Sequence, residues 1–527
     1  MKRRIFLGAA AATVAAPALV QGQAARTLKF IPHANLTVVD PVWTTAYITR
    51  NAGFLIWDTL YGLDERYRPQ PQMVEGHTLE DDDTLWTFTL REGLRFHDGE
   101  PVRARDCVAS ILRWTKRDAM GARLAELTEE MSALDDRRFR IRLKRPFGLM
   151  LDALAKPPSN VLFIMPERVA ATDAYTQIKP EQLIGSGPFT FRHDEYISGS
   201  KVVFQRFAGY QPRPSGEVSG TAGPKVVHFD RVEWHIIPDF ATAGAALQSG
   251  EIDWWENVTA DLRPVLERHR EIVVNVPDPL GLISILRPNH LHPPTSNVKF
   301  RKGLLAAVKQ ADYMIAVAGT DPKYWRTRVG AFTPGTPLAT EAGLDAFAED
   351  MDLAKRLIAE SGYSGERIVL LATTDIASLQ ALSQVTGDLL RRLGLNVDYQ
   401  AMDWGSVVQR RASRESLDKG GWSIFCTNWA GLDHINPAGH HALRGNGKEG
   451  WFGWAESARL EELRQAWFEA PDLETQQRIA GAMQQQMFAD VPYIPLGQFF
   501  QPLGHRRSIA GAMQPFGIPV FWNVRRV

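Results

Sequence analysis

One short stretch of the sequence holds several residues that could bind a metal ion. His434, His440 and His441 lie close to one another and to Asp433. Imidazole and carboxylate groups are common protein ligands of Ni²⁺, Cu²⁺ and Zn²⁺. Adjacent histidines on a helix point in different directions, which weakens them as a chelating set. Binding of nickel or of a metal chelate is therefore one functional alternative, and no metal ligand is assigned.

Catalytic motifs are missing from the chain. It has no His-Glu-x-x-His, no Gly-x-Ser-x-Gly and no Gly-x-x-x-x-Gly-Lys-Ser/Thr. The glycines of Gly185-Ser186-Gly187 lack the Lys-Ser/Thr that would follow in a phosphate loop. Cys107 falls within a predicted helix. A periplasmic hydrolase is kept as a second alternative, but the sequence predicts no enzyme, no catalytic residue and no cofactor.

Composition places the chain among folded proteins that do not bind nucleic acid. Hydrophobic residues make up 44% of the 527 residues, and 15 of the residues are tryptophan. So many tryptophans suggest that some of them line a pocket. Without the basic residues Lys2, Arg3 and Arg4 of a leader, 57 Lys and Arg face 60 Asp and Glu, a net charge of −3. This balance argues against nucleic acid or an anionic membrane as partner.

The first 24 residues have the pattern of an export signal. Three basic residues precede a short apolar run at residues 8–20, and Gly22-Gln23-Ala24 offers a cleavage site. Arg3-Arg4 with the following Ile-Phe-Leu resembles a twin-arginine signal, and the Sec route stays open. Since neither Cys107 nor Cys426 lies near the cleavage point, we expect a soluble periplasmic protein without a lipid anchor. Buried free thiols are favoured over a disulfide.

Alternating residues at 84–114 predict a strand, a turn and a helix. Trp86, Phe88 and Leu90 alternate with threonines, as in a half-buried strand. Asp98-Gly99 is a turn signal, and apolar residues between 107 and 112 then share one helix face. Further along, residues 368–372 and 395–401 read as parallel strands on either side of a helix at 376–393. The sequence therefore predicts a mixed α/β fold.

The residue order within this stretch resembles a known family. Residues 91–102, REGLRFHDGEPV, are similar to the signature of family 5 extracellular solute-binding proteins, the peptide, dipeptide and nickel receptors of ABC importers. Residues 185–189, GSGPF, and 250–253, GEID, resemble two other motifs of the family, and residues 428–437 match the position of its Trp-x-x-Asp loop. The chain departs from the pattern at Arg103, where the family usually has a threonine that caps the helix.

The resemblance implies an α/β fold of the periplasmic binding protein type II-like class, with two lobes, an inter-lobe ligand cleft and the three-domain architecture of family 5. It assigns residues 1–24 to the signal peptide, residues 61–184 to an additional domain, and residues 286–497 to the second lobe. The first lobe then comprises residues 25–60, 185–285 and 498–527. The implied function is capture of a peptide or other small polar solute by lobe closure. The implied partners are an ABC permease and ATPase complex, with the binding protein as a monomer.

The same resemblance suggests which side chains meet the ligand. Asp433 corresponds to the acid that pairs with a peptide's α-ammonium, although it lies one residue further from the tryptophan than in the family. The implied ligand-binding residues are Trp43, Thr45, Tyr47, Trp255, Glu256, Asn428, Trp429 and Asp433.

Overall fold

The fold, described for residues 26–527 by a computed structural model, is built on three main β-sheets. The predicted signal peptide lies outside the described residues. No helix within residues 26–527 combines the length and the apolar character needed to cross a membrane. We call the parts of the molecule built on the seven-stranded, six-stranded and four-stranded sheets the first lobe, the second lobe and the additional domain.

The first lobe is organised around a mixed sheet of seven strands. Its central strand, Thr27–Ile31, runs parallel to both of its neighbours. In spatial order the strands are Ile272–Asn275, Leu503–Arg506, Trp254–Trp255, Thr27–Ile31, Arg231–His235, Lys201–Arg206 and Phe189–Phe191. The helices associated with this lobe are Tyr47–Ile56, Phe240–Ser249 and Arg263–Glu267. The Gly-Glu-Ile-Asp motif at 250–253 follows the helix Phe240–Ser249 and leads into the strand Trp254–Trp255.

The second lobe contains the predicted pair of parallel strands. Arg367–Thr373 and Asn396–Met402 pair in parallel on either side of the helix Ala377–Arg392. In spatial order the strands are Trp325–Arg326, Ile494–Phe499, Leu282–Pro288, Ile424–Ala430, Arg367–Thr373 and Asn396–Met402. The other helices are Val298–Ala307, Gln310–Ala318, Met351–Glu360, Trp404–Arg410, Ala458–Phe468 and Leu473–Asp490. Val298–Ala307 and Gln310–Ala318 are separate helices, because the backbone is extended at Val308 and Lys309.

The additional domain carries the motif on which the family resemblance rests, residues 91–102. Its four strands, in spatial order, are Val74–Glu80, Leu85–Leu90, Arg138–Leu143 and Thr128–Ala133. Its helices are Ala104–Trp114, Ala119–Leu127, Met150–Ala155 and Glu167–Ala170. Two short hairpins complete the strand inventory of the described chain, Tyr61–Leu63 with Pro69–Pro71 and Ile509–Ala510 with Arg525–Arg526.

The turn predicted in the signature motif is confirmed, and it also contacts the second motif. The Nδ1 atom of the His97 ring accepts a hydrogen bond from the backbone N–H of Gly185 at 3.1 Å, and Nε2 donates to the carbonyl of Gly187 at 3.1 Å. Burial lowers the pKa of His97 to about 4, so the ring is neutral at pH 7. A Cβ atom at Gly185 would collide with the carbonyl oxygen of Ile56. The two motifs therefore join the additional domain to the first lobe.

The chain crosses between the lobes twice, at residues 276–281 and 500–502, which we call the two crossovers. They lie against each other at Gly281, whose φ is +56° and where a Cβ atom would collide with the carbonyl oxygen of Phe499. A residue other than glycine would be strained there and would push the crossovers apart. Within residues 26–527 these two crossovers are the only chain segments that connect the two lobe sheets, and they lie side by side.

Candidate functional site

A pocket lies between the lobes at the crossovers. It contains about 870 Å³ of space free of protein atoms, counting the part that opens to solvent. The crossovers contribute Pro277, Asp278, Gly281 and Gln501 to its lining. Both lobes contribute walls, so separation of the lobes would open it.

The first-lobe wall is formed by the beginning of the helix Tyr47–Ile56 and by Glu256. The carboxylate of Glu256 accepts hydrogen bonds from the backbone N–H of His33 at 2.7 Å, from the His33 ring at 2.8 Å and from the amide of Asn51 at 2.9 Å. Its charge is therefore already well satisfied by protein donors. Glu256, Thr45 and Tyr47 all line the pocket, as the sequence resemblance suggested.

The second-lobe wall is centred on the strand Ile424–Ala430. The side chain of Asn428 accepts a hydrogen bond from the Ser284 hydroxyl and donates one to the Ser378 hydroxyl, each at 2.9 Å. The ring of Trp429 packs edge-on against Trp451, with the ring centroids 4.9 Å apart. Asn428 and Trp429 both line the pocket. Contacts within the second lobe therefore hold both side chains in the wall.

Asp433 lies behind this wall and is not among the residues that line the pocket. It is only 3% exposed. Its two carboxylate oxygens accept hydrogen bonds from the hydroxyls of Tyr47 at 2.6 Å and Ser159 at 2.7 Å. The Tyr47 hydroxyl also accepts a hydrogen bond from the backbone N–H of Ala430. Asp433 therefore connects the second lobe to the opposite side of the cleft, and its role toward a ligand ammonium stays a prediction.

The other two predicted aromatic residues lie away from the pocket. Trp43 lines a larger adjoining opening between the additional domain and the second lobe. Thr45 and Trp451 border both spaces, and the Trp451 indole N–H donates to the Thr45 hydroxyl at 3.2 Å. Trp255 is buried in an apolar cluster of the first lobe and borders a second adjoining groove.

The three clustered histidines are buried and neutral. The rings of His434 and His440 stack with centroids 3.7 Å apart, and Nε2 of His441 lies 3.5 Å from the carboxylate of Asp118. Burial lowers the pKa of His434 to about 3. Among residues 26–527, no group of three or more histidine, cysteine, aspartate or glutamate side chains is arranged to hold a metal ion. The donor geometry gives the metal alternative no support.

Arg411 is a pocket residue that the sequence did not reveal. It lies just after the helix Trp404–Arg410, lines the pocket and is 1% exposed. Within residues 26–527 its guanidinium forms no ion pair, Nε has no hydrogen-bond partner, and Nη2 makes only long contacts of 3.4 Å to the hydroxyls of Thr44 and Thr45. Burial lowers the pKa of Arg411 to about 9, so it remains charged at pH 7. A buried, unpaired cation thus faces the pocket.

Asp278 is the second such residue, and it lies on the first crossover. It is 7% exposed and lines the pocket. One carboxylate oxygen, Oδ1, accepts a hydrogen bond from the backbone N–H of Leu280 at 3.0 Å. Burial raises the pKa of Asp278 to about 6, an effect that the backbone N–H groups and Arg50 reduce. Asp278 and Arg411 are therefore a buried acid and a buried base of the pocket wall that form no ion pair within residues 26–527.

Two α/β lobes that enclose a pocket at paired crossovers define a two-lobed solute-binding protein, and comparison with known proteins identifies the family. The model of bacterial extracellular solute-binding proteins, family 5 Middle, matches residues 68–449. The chain belongs to this family. The family and two-lobed fold predicted from the sequence are thereby confirmed.

Individual relatives agree with this assignment. The chain is 36% identical to a probable peptide ABC transporter periplasmic-binding protein of Sinorhizobium fredii over 98% of its own length and 97% of the relative's. It is 26% identical to a glutathione-binding protein of Salmonella typhi, over 80% and 78% of the two chains. A dipeptide-binding protein from Pseudoalteromonas sp. SM9913, solved in complex with Met-Leu, superposes with a TM-score of 0.77 at 18% identity, covering 95% and 100% of the chains.

Proposed function

We propose that this protein is the periplasmic solute-binding component of an ABC transporter and that it captures a short peptide or a similar small solute bearing a carboxylate. Membership of family 5 and the similarity to a peptide-transporter relative support the general function. The more specific part of the proposal, that the ligand bears a carboxylate, rests on Arg411. Its charge is buried in the pocket wall without an anion from the protein.

An unpaired buried guanidinium is costly, because the group loses its hydration without gaining a counter-ion. A ligand carboxylate would supply that counter-ion. It could also accept two parallel hydrogen bonds from the guanidinium, a geometry in which arginine binds carboxylates strongly. The aromatic rings of Trp404 and Phe452, 5.2 and 4.9 Å from the guanidinium carbon, hold the side chain in place. The site is thus preorganised for an anion.

The remaining predictions from the sequence form part of the same proposal. The protein is exported, carries no lipid anchor and acts as a monomer that delivers its ligand to a membrane permease and ATPase complex. The division into two lobes and an additional domain given above is proposed, with the limits between the lobes at the crossovers 276–281 and 500–502, because the strands Leu282–Pro288 and Ile494–Phe499 both pair within the second-lobe sheet. Thr45, Tyr47, Glu256, Asn428 and Trp429 are proposed to contact or position the ligand, since they line the pocket. Hydrolysis of a bound peptide by the purified protein would contradict the proposed role as a non-enzymatic receptor.

Native mass spectrometry of protein isolated from a periplasm should reveal a co-purified small molecule that carries a carboxylate. The substitution Arg411→Met should weaken binding of that molecule by roughly thirtyfold or more, the effect of removing one partner from a buried charge pair. It should not lower the melting temperature of the ligand-free protein, because an unpaired buried charge is replaced by an apolar side chain.

Arg392→Ala removes an exposed arginine from the same lobe and serves as the control. Calorimetric titration of the three proteins gives the affinities. If Arg411→Met binds the ligand as tightly as the parent does, or if the co-purified molecule carries no anionic group, the proposed contact is wrong.

A further inference from the structure

The first crossover carries an acidic side chain, Asp278, that forms no ion pair within residues 26–527. Asp278 lies between two strands of different lobes. The strand Ile272–Asn275 of the first-lobe sheet precedes it, and the strand Leu282–Pro288 of the second-lobe sheet follows it. It is more than nine-tenths buried and lines the pocket. A carboxylate on the segment that connects two lobes can contact a ligand that is bound between them.

The hydrogen bonds of Asp278 leave part of its carboxylate available. Oδ1 accepts from the backbone N–H of Leu280, whereas Oδ2 has no hydrogen-bond partner among residues 26–527. Oδ2 lies close to Gly517, where even an added Cβ atom would come within 3.6 Å of it. Gly517 itself has no side chain that could cover this oxygen.

The basic groups near the pocket are already occupied. The guanidinium of Arg50 donates to the side chain of Asn51 and to the carbonyl oxygens of Pro158 and Gly517. The His33 ring contacts Glu256 at 2.8 Å. Neither group forms an ion pair with Asp278. The charge of Arg50 lowers the pKa of Asp278 without an ion pair between the two groups, so direct pairing with this carboxylate is left to a cation of the ligand.

The other buried acids in this region differ from Asp278 in the number of donors they receive. Glu256 accepts from three N–H groups, and Asp433 accepts from two hydroxyls. Either acid would have to give up a protein hydrogen bond, or share an oxygen, in order to bind a ligand ammonium. Asp278 would lose nothing, because its Oδ2 atom is free.

We propose that Asp278 on the first crossover binds the cationic group of the ligand, an ammonium in the case of a peptide, and that Asp433 does not. This inference rests on the proposed function. Together with Arg411 on the second-lobe wall, it specifies a zwitterionic ligand whose positive end meets the crossover and whose negative end meets the second lobe. Contact with the crossover would also couple the charge of the ligand to the segment that must bend when the lobes move.

A peptide pool tests the proposal even while the natural ligand is unidentified. An exhaustive proteolytic digest of casein is divided, and one half is acetylated so that its amines lose their charge. Each half is incubated with the parent protein, and the retained peptides are identified by mass spectrometry. The peptide retained best is then synthesised with a free and with an acetylated amine, and both forms are titrated into the parent, Asp278→Asn and Asp433→Asn.

The parent should prefer the free amine, and Asp278→Asn should reduce that preference by at least about tenfold, since it removes one partner of a desolvated charge pair. Asp433→Asn should bind both forms more weakly and keep the preference. Asp278→Asn should fold as the parent does, because it removes an unpaired charge, and its circular dichroism and melting temperature check this. Asp278→Glu keeps the charge and should keep the sign of the preference.

Each other outcome is decisive. If Asp433→Asn loses the preference while Asp278→Asn keeps it, the ammonium belongs to Asp433 and the inference is overturned. If the parent binds the two forms equally, the protein does not recognise the ligand's positive charge, and the inference fails while the peptide proposal stands. If the parent retains peptides from neither pool, the proposed peptide ligand is overturned and the inference falls with it.

Discussion

The hydroxyl of Tyr47 should contribute to holding the lobes closed, and Tyr47→Phe removes that hydroxyl without changing the ring. In the closed protein the hydroxyl donates to Asp433 at 2.6 Å and accepts from the backbone N–H of Ala430. Burial, together with the nearby charge of Asp433, raises the pKa of Tyr47 well above its usual value, so the hydroxyl remains a donor at pH 7. The substitution leaves a buried carboxylate oxygen and a buried N–H without this partner.

The magnitude follows from the types of the two hydrogen bonds. A hydrogen bond to a charged group contributes about 1.5–3 kcal/mol, and a buried donor left without a partner costs about 1–3 kcal/mol. In separated lobes water would hydrate both groups, so the loss falls on the closed form. With part of the loss recovered by a trapped water molecule, closure should weaken by about 2–3 kcal/mol. Since about 1.4 kcal/mol corresponds to tenfold, ligand affinity should fall roughly 30- to 150-fold.

Calorimetric titration with the best-retained peptide measures the affinity, and small-angle scattering measures the radius of gyration with and without it. Tyr47→Phe should need more peptide to reach the compact form. Tyr399→Phe removes a hydroxyl from the second lobe outside the pocket and is the matched control. Ser159→Ala, which removes the second hydroxyl on Asp433, should act in the same direction. If Tyr47→Phe binds and compacts as the parent does, the hydroxyl does not stabilise closure.

Three further predictions concern the whole fold. Cys107 and Cys426 are buried free thiols, and burial raises the pKa of both, to about 12 for Cys426. A thiol reagent should therefore modify them only after denaturation, and rapid modification of the native protein would contradict their burial. In the folded protein the pKa values of His97 and His434 are about 4 and about 3, below the ordinary 6.5. Between these values and pH 6.5 the unfolded chain binds protons at both residues and the folded chain does not. Stability should therefore fall as the pH drops below about 6.5, measured by urea unfolding at pH 7 and pH 5, and His97→Gln should show a shallower fall. Gly281→Ala should disturb the crossovers and weaken ligand binding, visible by calorimetry, whereas the exposed Gly99→Ala should affect stability alone.

Local patterns and family resemblance predicted much of the fold. The alternation of residues 85–90 and the apolar face after Pro101 correspond to the strand Leu85–Leu90 and the helix Ala104–Trp114. The missing side-chain cap at Arg103 is also found, and the carboxylate of Asp106 compensates by accepting the Arg103 backbone N–H at 2.8 Å. These features depend on neighbours in sequence, which is why the sequence could predict them.

The pocket was less predictable, because it depends on which polar groups find partners in the folded chain. Arg411 follows Arg410 near a helix end, a pattern typical of solvated arginines, yet its side chain is buried. Asp278 stands between two prolines, which is typical of a surface turn. Asp433 lies in the loop that the family resemblance indicated, but hydroxyls from distant parts of the chain occupy its oxygens. Hydrogen bonds that join residues hundreds of positions apart leave no local pattern.

The difference between paired and unpaired charges separates the groups that hold the lobes together from those that select the ligand. Asp433 has its partners in the protein, so it can stabilise closure with any ligand that fits. Arg411 and Asp278 form no ion pair within residues 26–527, and Arg50 offsets the charge of Asp278 only in part, so a ligand that pairs with both groups would stabilise the closed pocket. A neutral molecule of the right shape would enclose these charges without relieving them. Closure should therefore favour a zwitterion over a neutral isostere, and the specificity would arise as much from the penalty on the wrong ligand as from contacts with the right one.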